Sequence, residues 1–180
     1  MKALLVSLLA VVAACGEGRA IFNVDVHSFM AGTGKDTVLY GFLPGLPDTV
    51  SAPAQKINLP PGFGSSIVDS VRITNGGANL INASGTGNVG FQLYIAADSL
   101  STYNTSALAI NIPATAVSGA QTVPVVITGD LTPGLNALFT QPAIWLRIAA
   151  AGSASGGTPV SGKMALTALL VRVVLQDKIF

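Results

Sequence analysis

Few residues in this chain can do chemistry. Its 180 residues include one His, one Cys, nine Lys and Arg together, and eight Asp and Glu together. His27 is the only imidazole, so any mechanism needing a histidine base must use it. It follows Asp25 by two positions in the stretch IFNVDVHS, residues 21–28. On a strand that spacing sends both side chains to one face, where they could begin a metal site or a hydrolytic pair. A multi-histidine zinc site is excluded by count. A Ser-His-Asp triad would also need a placed serine, and no Gly-x-Ser-x-Gly elbow supplies one. A polar, solvent-facing row is the expected role of Asp25 and His27.

AGTGKDT, residues 31–37, is reminiscent of a phosphate-binding loop. That loop needs Gly five positions before Gly34 and Ser or Thr after Lys35. Phe29 and Asp36 stand there instead, and the Asp36 carboxylate would repel a phosphate. A Gly-rich hairpin turn is the expected role. Calcium prefers clustered oxygen ligands, but Asp36, Asp48, Asp69, Asp98 and Asp130 are scattered singly, with no Asp-x-Asp-x-Asp loop. Paired-carboxylate hydrolysis is formally open to any two of them and is favoured by none. No metal, no cofactor and no catalytic residue is expected.

The most suggestive group is aromatic. Tyr94 and Trp145 fall on the non-core side of their strands, with Gln92 and Arg147 beside them as hydrogen-bonding groups. Exposed rings can stack on the apolar face of a sugar, so Tyr94, Trp145, Gln92 and Arg147 form a candidate ligand patch. The competing expectation is that these aromatics pack beneath loops or in a second core layer.

Strands must position these groups. Period-two alternation recurs along the chain. It marks residues 21–28, with Phe22, Val24 and Val26 on one face, and residues 37–43. Residues 67–75 form another strand, IVDSVRITN, followed by Asn75-Gly76, a strong tight-turn pair, and a short return strand at 80–83. VGFQLYIAA, residues 89–97, points Val89, Phe91, Leu93 and Ile95 inward. Residues 107–112, 122–128 and 143–149 complete the middle of the chain. Pro124 cannot donate a ladder hydrogen bond, which puts its strand at an edge or starts it there. Residues 151–161 are rich in Gly, Ser and Ala and predict a loop. MALTALLVRVVL, residues 164–175, mixes helix and strand formers, and its Val-rich end predicts a long strand. Gly-Pro turns stand at Leu43-Pro44-Gly45 and at Leu59-Pro60-Pro61-Gly62.

About eight or nine antiparallel strands with turns between them predict a single all-β sandwich, immunoglobulin-like or jelly-roll-type. VRITNGG followed by FQLYIAADS resembles the strand, Asn-Gly turn and strand-plus-Asp pattern of bacterial immunoglobulin-like adhesion-type domains. That resemblance favours the immunoglobulin-like form.

The first residues read MKALLVSLLAVVAACGEG. The apolar run is too short to span a bilayer core, which takes roughly 20 residues. A positive start and a short hydrophobic stretch ending in small residues match a secretory signal. Val12-Ala13-Ala14-Cys15 resembles the lipobox of bacterial lipoproteins. The resemblance implies removal of residues 1–14 and diacylglyceryl modification of Cys15, the only cysteine. Residues 15–20 would then form a short tether, and 21–180 the sandwich domain. Gly16 lacks the Asp that often retains such proteins at the inner membrane, so the resemblance leans toward the outer membrane or cell surface.

Charged residues make up 9% of the chain, against roughly 25% in typical soluble proteins. Removing Lys2 with the leader balances the charges. Such a surface argues against nucleic-acid binding, which needs clustered cations, and it does little to resist self-association. The expectation is a membrane-anchored, non-catalytic envelope lipoprotein that contacts a protein partner or copies of itself. A carbohydrate-binding module is the second expectation, and a hydrolase the third.

Overall fold

A computed structural model describes residues 19–59 and 67–176. The expected leader, lipobox-like segment with Cys15 and tether residues 16–18, the expected turn at 60–62, and residues 177–180 lie outside the described residues. Eleven strands lie inside them: β1 Arg19–Asp25, β2 Thr37–Phe42, β3 Asp48–Ser51, β4 Gln55–Asn58, β5 Ile67–Ser84, β6 Thr86–Ala96, β7 Leu108–Ser118, β8 Gln121–Val126, β9 Gly129–Asp130, β10 Ala143–Ala154 and β11 Val160–Gln176. One short helix, α1 Val26–Ala31, separates β1 from β2.

The strands form two antiparallel sheets packed as a sandwich. Sheet A has six strands in the order β1-β11-β5-β8, with β2 also on β11 and β9 also on β5. Sheet B has five in the order β3-β10-β6-β7, with β4 also on β10. Alternation puts Val89, Phe91, Leu93 and Ile95 of β6 and Ile144, Leu146 and Ile148 of β10 into the shared core. Val71, Leu80, Met164, Leu166, Val171 and Val173 face them from sheet A. Burying a side chain of this size stabilises by about 1.5–3 kcal/mol, so the two inner faces supply the main driving force.

The two longest strands, β5 with 18 residues and β11 with 17, pair along almost their whole length. The Val-rich tail is therefore a strand. Pro124 lies in β8, which among the described residues pairs only with β5 and so occupies a sheet edge. The strand count exceeds the expected eight or nine because short β3, β4 and β9 share partners with longer strands.

Three local expectations are corrected. Asn75-Gly76 is not a turn but lies inside β5, and the expected return strand at 80–83 continues it. Both halves of β5 pair with the same strand, β11, with register shifts between Leu166 and Ala168 and between Leu170 and Val171. Gly76 has another use there. An added Cβ would stand 2.5 Å from the Ile127 carbonyl oxygen, whose residue donates its amide to Gly76 O at 3.0 Å. The strand expected over 21–28 ends at Asp25. That carboxylate accepts the Ser28 amide at 3.2 Å and caps α1, as Asp favours at a helix start. Finally, β10 runs on to Ala154, leaving only 155–159 of the predicted 151–161 loop between strands.

The chain passes from sheet A to sheet B at Gly85, between β5 and β6. Its φ is +78°, and an added Cβ would lie against Pro159 O and 2.8 Å from Val160 Cα. Buried Asn82 ties this corner together. Its amide donates to Gly119 O at 2.7 Å and Gly85 O at 3.2 Å, and its oxygen accepts from the Tyr40 hydroxyl at 3.1 Å. Burial also pushes the Tyr40 phenol above its ordinary pKa.

Candidate functional site

The sequence-level candidates separate. Asp25 caps α1, and His27 sits on that helix rather than beside Asp25 on a strand. His27 Nε2 comes within 3.9 Å of Asp36 Oδ2 instead. The Gly-rich 31–37 segment links α1 to β2. The amides of Thr33, Gly34 and Lys35 return to the last carbonyls of α1 at 3.0, 3.2 and 3.2 Å, and Lys35 Nζ donates to Ala54 O at 3.2 Å. The amides that would cradle a phosphate are thus spent on the chain itself. Among the described residues, no three His, Cys, Asp or Glu side chains converge.

Tyr94, Gln92, Trp145 and Arg147 do share the outer face of sheet B. Alternation forces this, since their neighbours on β6 and β10 point into the core, and register sets Arg147 opposite Tyr94. The segment between β6 and β7 then folds over that face in two 3₁₀ turns, Leu100–Tyr103 and Thr105–Ala107. Asp98 holds the first turn, its carboxylate accepting the Ser101 amide at 2.8 Å and the Ser101 hydroxyl at 2.6 Å. The Ser101 hydroxyl and then its amide hold the Asp98 carboxyl below its ordinary range.

Arg147 is the keystone beneath this segment and is only 5% exposed. Its Nε and Nη2 both donate to Thr102 O, at 3.0 and 2.7 Å. Its guanidinium carbon lies 3.9 Å from the Tyr94 ring centre and 4.5 Å from that of Tyr103. Tyr94 in turn donates its hydroxyl to Gln92 at 2.9 Å. No carboxylate among the described residues pairs with Arg147. Two aromatic faces and a shared carbonyl offset the cost of burying its charge. A small second core of Tyr94, Ala96, Ala107 and Ala149 forms around it. Tyr94 is buried, with its ring against the guanidinium, so it does not offer the open platform that sugar stacking requires. Trp145 stays half-buried, between Lys56 and Ala96 in register.

The opposite end of the same face is open. A trough of about 540 Å³ lies there, lined by Pro47, Asp48, Thr49, Asn88, Ala114, Ala151, Gly152 and Ser153. Edge strands β3 and β7 bring its two walls, and central strands β6 and β10 its floor. Of these residues the sequence singles out only Asp48, as one of the scattered carboxylates, and it gives no signal for the others or for Thr102 and Tyr103. Alternation alone puts Asn88 and Ser153 on the outer face. Only the register, which sets Ser153 opposite Asn88 and Thr49 opposite Ala151, gathers them.

No family model and no curated protein matches this chain. Solved structures similar to it include infectious bursal disease virus Gx strain, at 13% identity and TM-score 0.44, covering 89% of this chain and 36% of that one. The T13 particle of the same virus gives 13% identity and TM-score 0.46, with the same coverages. Dimeric latent PorU from Porphyromonas gingivalis gives 12% identity and TM-score 0.35, covering 91% of this chain and 13% of that one. This chain thus spans about a third or less of the length of each. Such likenesses speak to neither ligand nor activity.

Proposed function

We propose that this protein is a lipid-anchored bacterial envelope protein, held through Cys15 at the outer membrane or cell surface. Its β-sandwich serves in protein contact or structural assembly, without catalysis. The observation that carries this reading is the shortness of the link between anchor and fold. Cys15 ends the lipobox-like Val12-Ala13-Ala14-Cys15, and β1 begins only four positions later, at Arg19. Four residues reach at most about 14 Å, so the sandwich stands directly against its membrane. A diacylated cysteine gives the two chains that stable anchoring takes.

The faces suit close contact. On the outer side of sheet A, Thr37, Ala165, Asn79 and Pro124 lie in one row across four strands, and Ala168, Gly77 and Val126 in the next. Small, uncharged side chains like these pack at little desolvation cost. Confinement to a membrane raises the effective concentration of like copies and of partners.

Mass spectrometry of the native protein tests the reading. A mature chain beginning at diacylglyceryl-Cys15, and release from the envelope fraction on Cys15→Ala, are expected. An intact Met1, or an unmodified thiol in envelope-bound protein, would overturn it. Cross-linking in whole cells should then join the chain to a partner or to itself.

A further inference from the structure

We infer that the open trough on the outer face of sheet B binds a neutral oligosaccharide. This goes beyond the anchoring proposal and stands whether or not Cys15 is lipidated. A volume of about 540 Å³ lies within the usual range for ligand sites, roughly 300–1,000 Å³. The lining alternates apolar and polar groups. Pro47, Ala114 and Ala151 offer flat apolar contact, and Asp48, Thr49, Asn88 and Ser153 offer hydrogen bonds. A sugar ring has the same mixture, with C–H patches between hydroxyls.

The polar groups are available. Asp48 Oδ1 accepts the Thr49 amide at 2.7 Å, which orients the carboxylate. The side chains of Thr49, Asn88 and Ser153 make no hydrogen bond among the described residues. Polar groups that find no partner within the fold remain free to pair with a ligand that offers donors and acceptors.

Charge decides the class of ligand. Asp48 is the only charged residue lining the trough. A lone carboxylate accepts strong hydrogen bonds from hydroxyls and repels phosphate, sulfate and acidic sugars. The trough also differs from the Tyr94–Arg147 end of the face, where the folded-over segment covers the rings. Binding here therefore depends on hydroxyl and amide contacts over a floor of small residues, not on ring stacking. The floor is made low by composition. Ala151 of β10 carries only a methyl group, and Gly152 of β10 and Gly90 of β6 carry no side chain; at Gly90 this lets β7 approach with Ile112 O only 2.9 Å from where a Cβ would stand.

The test is calorimetry of the full chain in detergent against cellohexaose, maltohexaose, xylohexaose and chitohexaose. A heparin fragment and a lysine-rich peptide serve as controls. Saturable binding of at least one neutral sugar is expected. Asn88→Ala, a change at an exposed position, should weaken it about tenfold, and Ala151→Phe should abolish it by filling the floor. Trp145→Ala, outside the trough, should leave it within about twofold. Thermal melting separates a blocked trough from a misfolded Ala151→Phe chain, and Asn88→Ala carries the test if that variant unfolds. No binding to any of the four sugars, binding that survives Asn88→Ala, or preference for heparin or the peptide would overturn the inference.

Discussion

Replacing Arg147 by Met keeps most of the side-chain length and removes the charge, the two hydrogen bonds and both ring contacts. Hydrogen bonds from a charged donor contribute about 1.5–3 kcal/mol net. Because Nε and Nη2 share one acceptor, Thr102 O, they count once, near the upper end. The Tyr94 contact at 3.9 Å is buried, and the Tyr103 contact at 4.5 Å is half in solvent. Together they add about 1.5–3 kcal/mol. Removing a buried charge returns part of that sum, since Arg147 has no carboxylate partner among the described residues. The net expected loss is about 3 kcal/mol, or roughly 6–12 °C in melting temperature for a chain of this size. Arg147→Lys keeps the charge but lacks the planar fork, and should lose about half as much. Chemical denaturation gives the global loss. Hydrogen exchange shows where it falls, with amides of 101–107 losing protection before those of β6 and β10. A double-mutant cycle with Tyr94→Leu should show coupling of about 1 kcal/mol. Stability of Arg147→Met within about 0.5 kcal/mol of the parent, with 101–107 still protected, would refute the reasoning. The charge would then cost as much to bury as its contacts return.

Three further outcomes are expected. Asn82→Leu strands the Tyr40 hydroxyl and the Gly119 carbonyl inside the corner, and should lower unfolding free energy by about 2–4 kcal/mol in a urea titration. Tyr40→Phe, which removes one bond, should cost about 1 kcal/mol. Gly85→Ala puts a side chain onto the Pro159–Val160 backbone at positive φ, and should cost more than the roughly 1–2 kcal/mol of left-handed backbone strain alone, read by thermal melting. The Asp98 carboxyl should titrate by NMR below its ordinary 3.8, with Ser101→Ala moving it back up. Because the folded value is the lower one, the stability this group adds is present above about pH 4 and disappears as pH falls through the folded value.

Much of the fold is legible in the sequence because inward and outward residues alternate on a strand whatever its partner. Val89 to Ile95 and Ile144 to Ile148 declare a buried face by period alone, and Pro124 declares an edge by its missing amide. The errors fall where pairing overrides a local signal. Asn-Gly is a turn when the flanking strands pair with each other. Here both flanks pair with β11, so it becomes an irregularity inside an 18-residue strand. Asp25 and His27 would share a face on a strand, but a carboxylate capping the Ser28 amide starts a helix between them.

The candidate site was half legible for the same reason. Alternation was enough to put Tyr94, Gln92, Trp145 and Arg147 on one face, and it says nothing about what covers that face. By itself the sequence determined the all-β class, the inward residues of the central strands, the scarcity of charge and the single cysteine that follows an apolar run. Each of these depends on residue type and near-neighbour spacing. The tertiary structure alone decided that Arg147 is enclosed by Tyr103 and the Thr102 carbonyl, about 45 residues away along the chain, and that Asp48, Asn88 and Ser153 meet around an open trough. Those meetings depend on strand order and register, which minimise free energy over the whole chain and leave no local trace.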